Sequence, residues 1–394
     1  MNPPAPLIVH VVNRFAVGGL ENGVVNLVNR LPRDAWRHAI VSLTDVDARF
    51  AQRVTRDDVE IIAMNKPPGH AWHLYPALYR MFRAKAPAIV HTRNIAALDA
   101  LPPAWAAGVP VRVHGEHGRD SADPHGRNRR RQRVRRLYRP FVSHYIAVSP
   151  DLERYLVERI GVSPAQVTHV MNGVDTARFR PAAQRAPIAG CPFGGADEWL
   201  VGSIGRLDPV KDPVNLAVAF VQAAGRDEAA RRRMRLVVVG DGHLRGDLET
   251  ILQQAGLRAH AWLAGERDDI PDILRGLDCF VLPSLAEGVS NTVLEAMATG
   301  LPIVATRVGA NAELLADGAA GVLVAPRDSD ALAGALGAMF ADRPRAAAMG
   351  AAARGRVEHA YSLERMVDRY HRLYAGMLSS RASDTLRSAE LPRG

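Results

Sequence analysis

Residues 279–301, CFVLPSLAEGVSNTVLEAMATGL, contain a strand pattern and a helix pattern joined by a short loop. An apolar run that begins at Cys279 ends at Pro283–Ser284, and a helical pattern follows from about Ser290 to Thr299. A short, almost wholly apolar strand is expected where helices cover both faces of a parallel sheet. This stretch therefore predicts one βα unit of a doubly wound α/β fold.

Strand patterns and helix-length segments alternate in the same way along most of the 394 residues. This alternation predicts parallel sheets built from βα units. The predicted strands are Leu7–Asn13, His38–Thr44, Glu60–Lys66, Ala88–Asn94, Val111–His117, His144–Ser149, Val167–Asn172, Trp199–Gly205, Arg235–Gly240, His260–Gly265, Cys279–Ser284, Pro302–Thr306 and Gly321–Ala325.

The segment 181–198, PAAQRAPIAGCPFGGADE, interrupts this alternation and has the Pro, Ala and Gly content of a linker. It predicts two Rossmann-like domains, 1–180 and 199–358. A helix over 359–380 is expected to pack back on the first domain, and the polar residues 381–394 are expected to form a disordered tail. Ligands of such domains bind beyond the carboxyl ends of the strands, so the loops there are the candidate sites.

The composition, with 47% hydrophobic and 23% charged residues, is that of a soluble globular protein. No run of 18 apolar residues occurs and the N-terminus lacks a basic region before its apolar run, so neither a transmembrane helix nor a signal peptide is predicted. Two cysteines, Cys191 and Cys279, are too few for a disulfide framework and fit a reducing cytoplasm. The net charge of +9 favours an anionic partner, such as a nucleotide, a nucleic acid or an acidic lipid surface.

Two carboxylates flank the start of the helix predicted from Ser290. Glu287 lies in the loop before this helix, and Glu295 lies two turns into it, about 12 Å away along the axis. This separation matches a nucleotide sugar from its hexose to its ribose. Each carboxylate can accept hydrogen bonds from sugar hydroxyls while the N–H groups of the helix N-terminus face a diphosphate. The alternative is a pair of solvated charges on a surface helix.

The segment 199–213, WLVGSIGRLDPVKDP, ends a strand at Gly205 and places Arg206 and Lys211 in the loop that follows. Breaking a sugar–phosphate bond leaves growing negative charge on the β-phosphate. A fixed guanidinium and a fixed ammonium stabilise that charge more in the transition state than in the ground state. Arg206 and Lys211 are therefore candidate catalytic residues, with ordinary surface charge as the alternative.

IGRLDPVKDP at 204–213 and EGVSNTVLEAMATGLPIVAT at 287–306 resemble the donor half of the GT-B glycosyltransferases of family 4. The resemblance implies two domains facing each other across a cleft, the first for an acceptor and the second for a nucleotide diphosphate sugar. It implies retaining, metal-independent hexosyl transfer from a UDP- or GDP-sugar to a glycan or lipid-linked acceptor, with no further cofactor. A nucleotide-sugar epimerase of the same fold and a non-catalytic sugar-binding scaffold are the alternatives.

The resemblance also implies roles for the donor-side residues. Arg206 and Lys211 hold the diphosphate, and Glu295 holds the ribose. Glu287 holds the transferred sugar together with the backbone at the helix start. The remaining donor-binding residues lie at the strand end and the helix start; they are Gly205, Gly288, Val289, Ser290 and Asn291.

The first predicted domain offers two polar loops at strand ends. Gly18, Gly19 and Glu21 open the helix after the first strand, where glycines allow a ligand to approach the backbone, unless they only form a tight turn. The resemblance implies that this loop faces the donor phosphates and the acceptor. It also implies that a His at the end of the fifth strand contacts the sugar or the acceptor; His114 fits this position best, with His117 as its rival. His114 and Glu287 thus join Arg206 and Lys211 as predicted catalytic residues.

Eight arginines lie among the thirteen residues of Arg127–Arg139, RNRRRQRVRRLYR. Apolar residues at helical spacing make this segment a basic amphipathic helix, which favours an anionic membrane surface over a merely solvated face. Nucleic acid is disfavoured, because no nucleic-acid-binding module accompanies the charge. The sequence thus predicts a cytoplasmic protein that can lie peripherally on the inner membrane.

Three segments of the first half are similar to the sugar transferases of exosortase (PEP-CTERM) systems; they are HVVNRFAVGGLENGVVNLVNRL at 10–31, VHTRN at 90–94 and VRVHGEHGRD at 111–120. This similarity implies a role in exopolysaccharide biosynthesis.

Two further motifs carry weak signals. Asp45-Val46-Asp47 has the D-x-D form that binds a divalent metal in another glycosyltransferase fold, but it follows the second strand, away from the predicted donor loops. No metal site is therefore expected. Gly240-Asp241-Gly242 resembles the start of a dinucleotide fingerprint, yet Arg245 stands where that fingerprint has its third glycine, so NAD binding is not expected.

Overall fold

The structure of the chain is a computed structural model that describes residues 4–118, 123 and 126–389, with side chains described up to Arg381. The chain divides into two compact units, Met1–Asn172 with Glu364–Gly394, and Gly173–Leu363. Each unit is built on one parallel sheet, with seven strands in the first and six in the second. The two doubly wound α/β sheets predicted from the sequence are confirmed.

The strands of the first unit follow one another in parallel. They are β1 (Leu7–Val12), β2 (Arg37–Ser42), β3 (Glu60–Ala63), β4 (Ile89–Arg93), β5 (Val111–Glu116), β6 (His144–Ala147) and β7 (Val167–His169). Their order in the sheet is β3-β2-β1-β4-β5-β6-β7. The direction of winding therefore changes between β1 and β4, the type of position where doubly wound sheets bind ligands.

Helices cover both faces of this sheet. They are α1 (Gly19–Arg30), α2 (Ala48–Ala51), α3 (Tyr75–Lys85), α4 (Leu101–Ala106), α5 (Arg129–Tyr138), α6 (Pro150–Arg154) with a π-helical continuation (Tyr155–Ile160), and the C-terminal helix described below. Val24 of α1 and Phe50 of α2 pack on one face of the sheet, and Leu78 and Phe82 of α3 pack on the other. Neighbouring strand residues point to opposite faces, so β1 supplies Val11 to one core and Val12 to the other.

The second unit repeats the plan with six strands. They are β8 (Trp199–Ile204), β9 (Met234–Val239), β10 (Ala261–Leu263), β11 (Cys279–Leu282), β12 (Ile303–Thr306) and β13 (Val322–Val324), in the order β10-β9-β8-β11-β12-β13. The helices are α7 (Pro213–Arg226), α8 (Glu228–Arg233), α9 (Arg245–Gln254), α10 (Ile270–Arg275), α11 (Asn291–Thr299), α12 (Asn311–Leu314), α13 (Ser329–Ala341) and α14 (Arg343–Ala360). The winding changes direction between β8 and β11.

The predicted linker 181–198 belongs to the second unit. Ile188 is buried, and Arg185 Nη1 donates to the Glu198 carbonyl at 2.6 Å and lies 3.0 Å from Asp278 Oδ2. Proline and glycine prevent a regular element here, whereas the buried isoleucine and the arginine hold the segment against the sheet.

The C-terminal helix, α15, spans Leu363–Ala389. Within the first unit, Tyr374 is fully buried and its hydroxyl lies 2.7 Å from His91 Nδ1, while Trp36 Nε1 donates to His371 Nδ1 at 2.8 Å. The sequence predicts disorder from 381, but the helix continues to Ala389, because no Gly or Pro occurs between 377 and 391 to end it. Residues 390–394 lie outside the described residues. Among the helices that are described, none is both long and apolar enough to cross a membrane.

Candidate functional site

The predicted donor residues lie at the carboxyl ends of two neighbouring strands of the second sheet. β8 pairs in parallel with β11, so the loops that follow them leave the same edge. Gly205, Arg206 and Lys211 lie in the first of these loops, and Glu287 lies in the second. The loops also touch directly, since the N–H of Leu285 donates to the carbonyl of Val210 at 2.8 Å.

Glu287 is held by two side chains. Lys211 Nζ lies 2.6 Å from Glu287 Oε1, and Ser284 Oγ donates to the same oxygen at 2.6 Å. The Glu287 side chain is only 9% exposed, so the adjacent ammonium is what makes its negative charge tolerable. The structure thus brings two predicted residues together and adds Ser284, which the sequence pattern did not single out.

Arg206 stands in a different environment from Lys211. Its side chain is 75% exposed, and its Nη2 lies 3.2 Å from Asp208 Oδ2. An exposed ion pair of this kind holds a guanidinium only weakly. Arg206 can therefore exchange this contact for a phosphate, for which its planar fork of donors is suited.

The helix α11 begins beside Glu287. Ser290 caps it, with Oγ accepting from the N–H of Val293 at 3.3 Å, and the first turn contains no acidic residue. The positive end of the helix dipole is therefore not neutralised by an acid of its own first turn. This is the helix end at which the sequence predicts anion binding.

Glu295 lies in the middle of α11 and is mostly enclosed. Burial raises the pKa of its carboxyl to about 7, against the smaller opposing effect of the Arg178 guanidinium. Both the neutral and the ionised form are therefore populated near neutral pH.

Two glycines set the shape of the donor loops; the sequence pattern marked Gly240 only as part of a possible dinucleotide fingerprint and did not single out Gly309. Gly240, with φ +123°, follows β9, and a Cβ there would lie 2.1 Å from the carbonyl oxygen of Gly205. Gly309, with φ +54°, follows β12, and a Cβ there would lie 2.3 Å from the carbonyl oxygen of Glu287. Only glycine fits both positions, because the φ value and the close backbone each disfavour a side chain.

In the first unit, the predicted loop opens α1. Gly18 is the N-cap residue, and its carbonyl accepts from the N–H of Asn22 at 2.9 Å. Glu21 lies in the first turn; burial raises the pKa of its carboxyl, and Arg93 opposes this effect. Gly18, Gly19 and Glu21 therefore surround the start of a helix at the carboxyl end of β1, the strand next to the switch point.

His114 lies inside the first unit. Its side chain is 1% exposed, with Nδ1 2.8 Å from Thr92 Oγ1 and Nε2 3.4 Å from Glu116 Oε1. Contact between a ligand and this imidazole requires the surrounding side chains to move. The rival, His117, is partly exposed, and burial together with Arg93 lowers its pKa to about 3.

The arginine-rich helix contains one structural arginine. Glu116 Oε1 and Oε2 accept from Arg135 Nε and Nη2 at 2.6 and 3.1 Å, and both side chains are buried. Arg135 also lies over the ring of Tyr155. The prediction that Arg127–Arg139 forms a binding surface therefore does not extend to Arg135, which faces the protein interior.

A buried cluster of three histidines and one arginine is formed by side chains of β1, β2 and β4. His10 Nε2 lies 3.0 Å from His38 Nδ1, and Arg93 Nη2 lies 3.2 Å from both His10 Nδ1 and His91 Nδ1. Burial, followed by the charge of Arg93, lowers the pKa of His10 and of His91 well below the ordinary value. These imidazoles are neutral, and Arg93 carries the charge of the cluster.

The D-x-D motif serves the local structure. Asp45 pairs with Arg14 at 2.8 Å, and Asp47 caps α2 by accepting from the N–H of Phe50 at 3.0 Å. Within the described residues, no group of three or more His, Cys, Asp and Glu side chains could hold a metal ion.

Two family models match the chain, one in each half. The model described as Glycosyltransferase Family 4 matches residues 17–178, and the model described as Glycosyl transferases group 1 matches residues 198–342. The second match contains every predicted donor residue.

Known proteins with similar sequences include two bacterial sugar transferases. The UDP-Gal:alpha-D-GlcNAc-diphosphoundecaprenol alpha-1,3-galactosyltransferase of Escherichia coli is 28% identical over 77% of this chain and 79% of its own length. The lipopolysaccharide core biosynthesis mannosyltransferase LpsB of Rhizobium meliloti is 34% identical over 50% of this chain and 57% of its own length.

Solved structures share the fold. Anabaena HepE in complex with UDP and glucose superposes with a TM-score of 0.79 at 22% identity, covering 95% of this chain and 100% of HepE. A glycosyltransferase from Rickettsia africae superposes with a TM-score of 0.77 at 19% identity, covering 95% of this chain and 99% of that one. At these identities the likeness establishes the architecture alone.

Proposed function

The chain is a glycosyltransferase of the group 1 and family 4 type with a GT-B fold, and we propose that it transfers a hexose from a UDP- or GDP-sugar with retention of configuration. The observation that carries this proposal is the meeting of Lys211 and Glu287 at 2.6 Å beside the exposed Arg206. A carboxylate for sugar hydroxyls and two cations for a diphosphate then lie in adjoining loops.

We propose that Arg206, Lys211 and the N-terminus of α11 bind the diphosphate. As the bond between the anomeric carbon and the phosphate oxygen breaks, its electron pair moves to the diphosphate, where these groups stabilise the charge. The acceptor hydroxyl attacks from the same face, and a phosphate oxygen takes its proton. Arg206 and Lys211 supply the charge compensation in this scheme, so it requires no metal ion.

The nature of the acceptor is proposed from the relatives. The Escherichia coli relative is named for a diphosphoundecaprenol acceptor, and LpsB for the lipopolysaccharide core. We therefore propose a lipid-linked or glycan acceptor, bound by the first unit, and a role in exopolysaccharide biosynthesis. The similarity to exosortase-associated sugar transferases stays a prediction. The acceptor class also suits our proposal that Arg127–Arg139 contacts an anionic membrane surface.

A panel of nucleotide sugars tests the donor proposal. We expect UDP- or GDP-sugars, but not NAD, to raise the melting temperature of the full chain by several degrees at about 100 times Kd. Radiolabelled sugar should then appear in a glycan or lipid extract. Release of an epimerised nucleotide sugar would indicate an epimerase, and binding without any turnover would indicate a scaffold.

Donor affinity should depend on pH through Glu295. If the ribose hydroxyls donate to this carboxyl, they require its ionised form, which increases as the pH rises through about 7. We expect the Kd of the tightest nucleotide sugar to fall about tenfold between pH 6 and pH 8, a range in which a diphosphate diester does not titrate. Calorimetric titration of the chain with the nucleotide sugar at several pH values measures this change in Kd.

Glu295→Gln should bind the donor more weakly at pH 8 and show a nearly flat pH profile. Glu228→Gln, which changes an exposed carboxylate at the start of α8, is the matched control and should keep the wild-type profile. If the Kd of the donor changed with pH in the same way for wild type and Glu295→Gln, the proposal that Glu295 binds the ribose would be wrong.

A further inference from the structure

Four of the large apolar side chains that are exposed on the first unit lie on or next to the helices α3, α4 and α5. They are Trp72, Tyr79, Trp105 and Leu137, with exposed fractions of 62, 40, 56 and 69%. Trp72 precedes α3, Tyr79 lies on α3, Trp105 on α4 and Leu137 on α5. Single exposed apolar residues are ordinary, but several on neighbouring helices indicate a binding surface.

These helices form one continuous surface. The hydroxyls of Tyr75 on α3 and Tyr138 on α5 lie 3.4 Å apart, and the rings of Trp105 and Phe141 meet edge to face at 5.6 Å. α3 also packs against α4. We name this surface, formed by α3, α4, α5 and the flanking residues Trp72 and Phe141, the α3–α5 face.

The charge of the α3–α5 face is almost entirely positive. Its exposed cations are Arg80, Arg83, Arg129, Arg130, Arg133 and Arg136. In the described part of the chain, no carboxylate lies within 4 Å of Arg129, Arg130 or Arg133. α3 and α5 contain no acidic residue, and Asp99, in the turn before α4, is engaged by the hydroxyl of Tyr138 and the N–H of Ala71.

We propose that the α3–α5 face docks on an anionic lipid bilayer. The arginines contact the phosphates of the headgroups, while Trp72, Trp105 and Leu137 enter the interfacial layer. A single-stranded nucleic acid would also attract arginines and aromatic rings. Leu137 favours the bilayer, because an aliphatic side chain gains free energy in acyl chains but offers no ring for a base to stack on.

The proposal deepens the proposed function, since a bilayer is where a lipid-linked acceptor would be met; its biological meaning rests on that function. Binding of the α3–α5 face to a bilayer does not depend on the proposed function. Donor binding uses residues of the second unit, and docking uses residues of the first, so the two can fail separately.

Vesicle flotation of the full chain tests the docking. We expect wild type to float with vesicles of phosphatidylcholine and phosphatidylglycerol at about 7:3, not with pure phosphatidylcholine, and to be released at about 0.5 M salt. The triple variant Arg129→Glu, Arg130→Glu and Arg133→Glu should bind at least about tenfold more weakly. The double variant Trp105→Ser and Leu137→Ser should bind more weakly than wild type, and its remaining binding should still be released by salt.

The matched control reverses the same amount of charge on the second unit, through Arg231→Glu, Arg232→Glu and Arg345→Glu, all at exposed positions. It should float like wild type. Equal loss in both triple variants, or no flotation of wild type, would overturn the proposal. If the wild-type chain bound an RNA oligonucleotide and did not bind the vesicles, the bilayer proposal would be overturned and the face would be assigned to nucleic acid. The nucleotide-sugar thermal shift at pH 8 should survive in the Arg129/Arg130/Arg133 variant and be reduced in Glu295→Gln, which should still float.

Discussion

Replacing Arg206 with Ala should lower kcat by about 10²- to 10³-fold, with a much smaller change in the Kd of the donor. The physical reason is that the negative charge which Arg206 stabilises develops mainly in the transition state. The donor diphosphate already carries negative charge in the ground state, but the oxygen released from the sugar gains more as the bond breaks. Arg206 is 75% exposed and pairs with Asp208, so it can move to that oxygen without breaking a buried contact.

Steady-state kinetics with saturating donor measure this effect. Arg206→Lys keeps the charge but loses the planar fork of donors, and it should recover part of the rate. Arg345→Ala removes an exposed arginine elsewhere in the second unit and should leave kcat unchanged. Wild-type kcat in Arg206→Ala would exclude this side chain from the transition state.

Replacing Arg135 with Met should destabilise the first unit by about 3–5 kcal/mol. Burial acts to raise the pKa of Glu116, but Arg135 and His114 outweigh it and hold the pKa far below the ordinary value. Without the guanidinium, the Glu116 carboxylate is left charged in a side chain that is 1% exposed. Burial then raises the pKa of Glu116 in the folded variant, so the loss of stability is largest above neutral pH and shrinks as the carboxyl becomes protonated.

Hydrogen exchange of β5 and α5 in urea reports on the first unit separately, which matters because a chain of two units need not unfold in one step. Arg136→Met is the matched control. Arg136 is exposed on the same helix, and its Nε and Nη2 donate to the carbonyl of Arg159 at 3.1 and 2.5 Å, so the substitution should cost about 0.5 kcal/mol. The double variant Glu116→Gln and Arg135→Met should recover much of the loss. Equal effects of Arg135→Met and Arg136→Met would contradict a stabilising buried pair.

The linear sequence was sufficient to predict the sheets because a strand buried on both faces has a local signature. The run Cys279–Leu282 is apolar at every position and is followed by a helix that Ser290 caps. The strands β1, β8 and β12 are mostly apolar runs that are also followed by helices. The ends of the helices were less well predicted. α15 passes residue 380, because weak helix-forming residues extend a helix that tertiary contacts at Tyr374 have already established.

By itself, the sequence determined the two α/β sheets, the loops that carry Arg206 and Glu287, and the helix that starts at Ser290, because each depends on neighbours a few residues away. Only the tertiary structure decided which side chains meet. Lys211 and Glu287 are 76 residues apart yet touch at 2.6 Å, and Arg135 is buried on Glu116 although its arginine neighbours on α5 face water. Such pairings depend on strand order and on the direction in which a side chain leaves the backbone, and neither is visible in a local pattern.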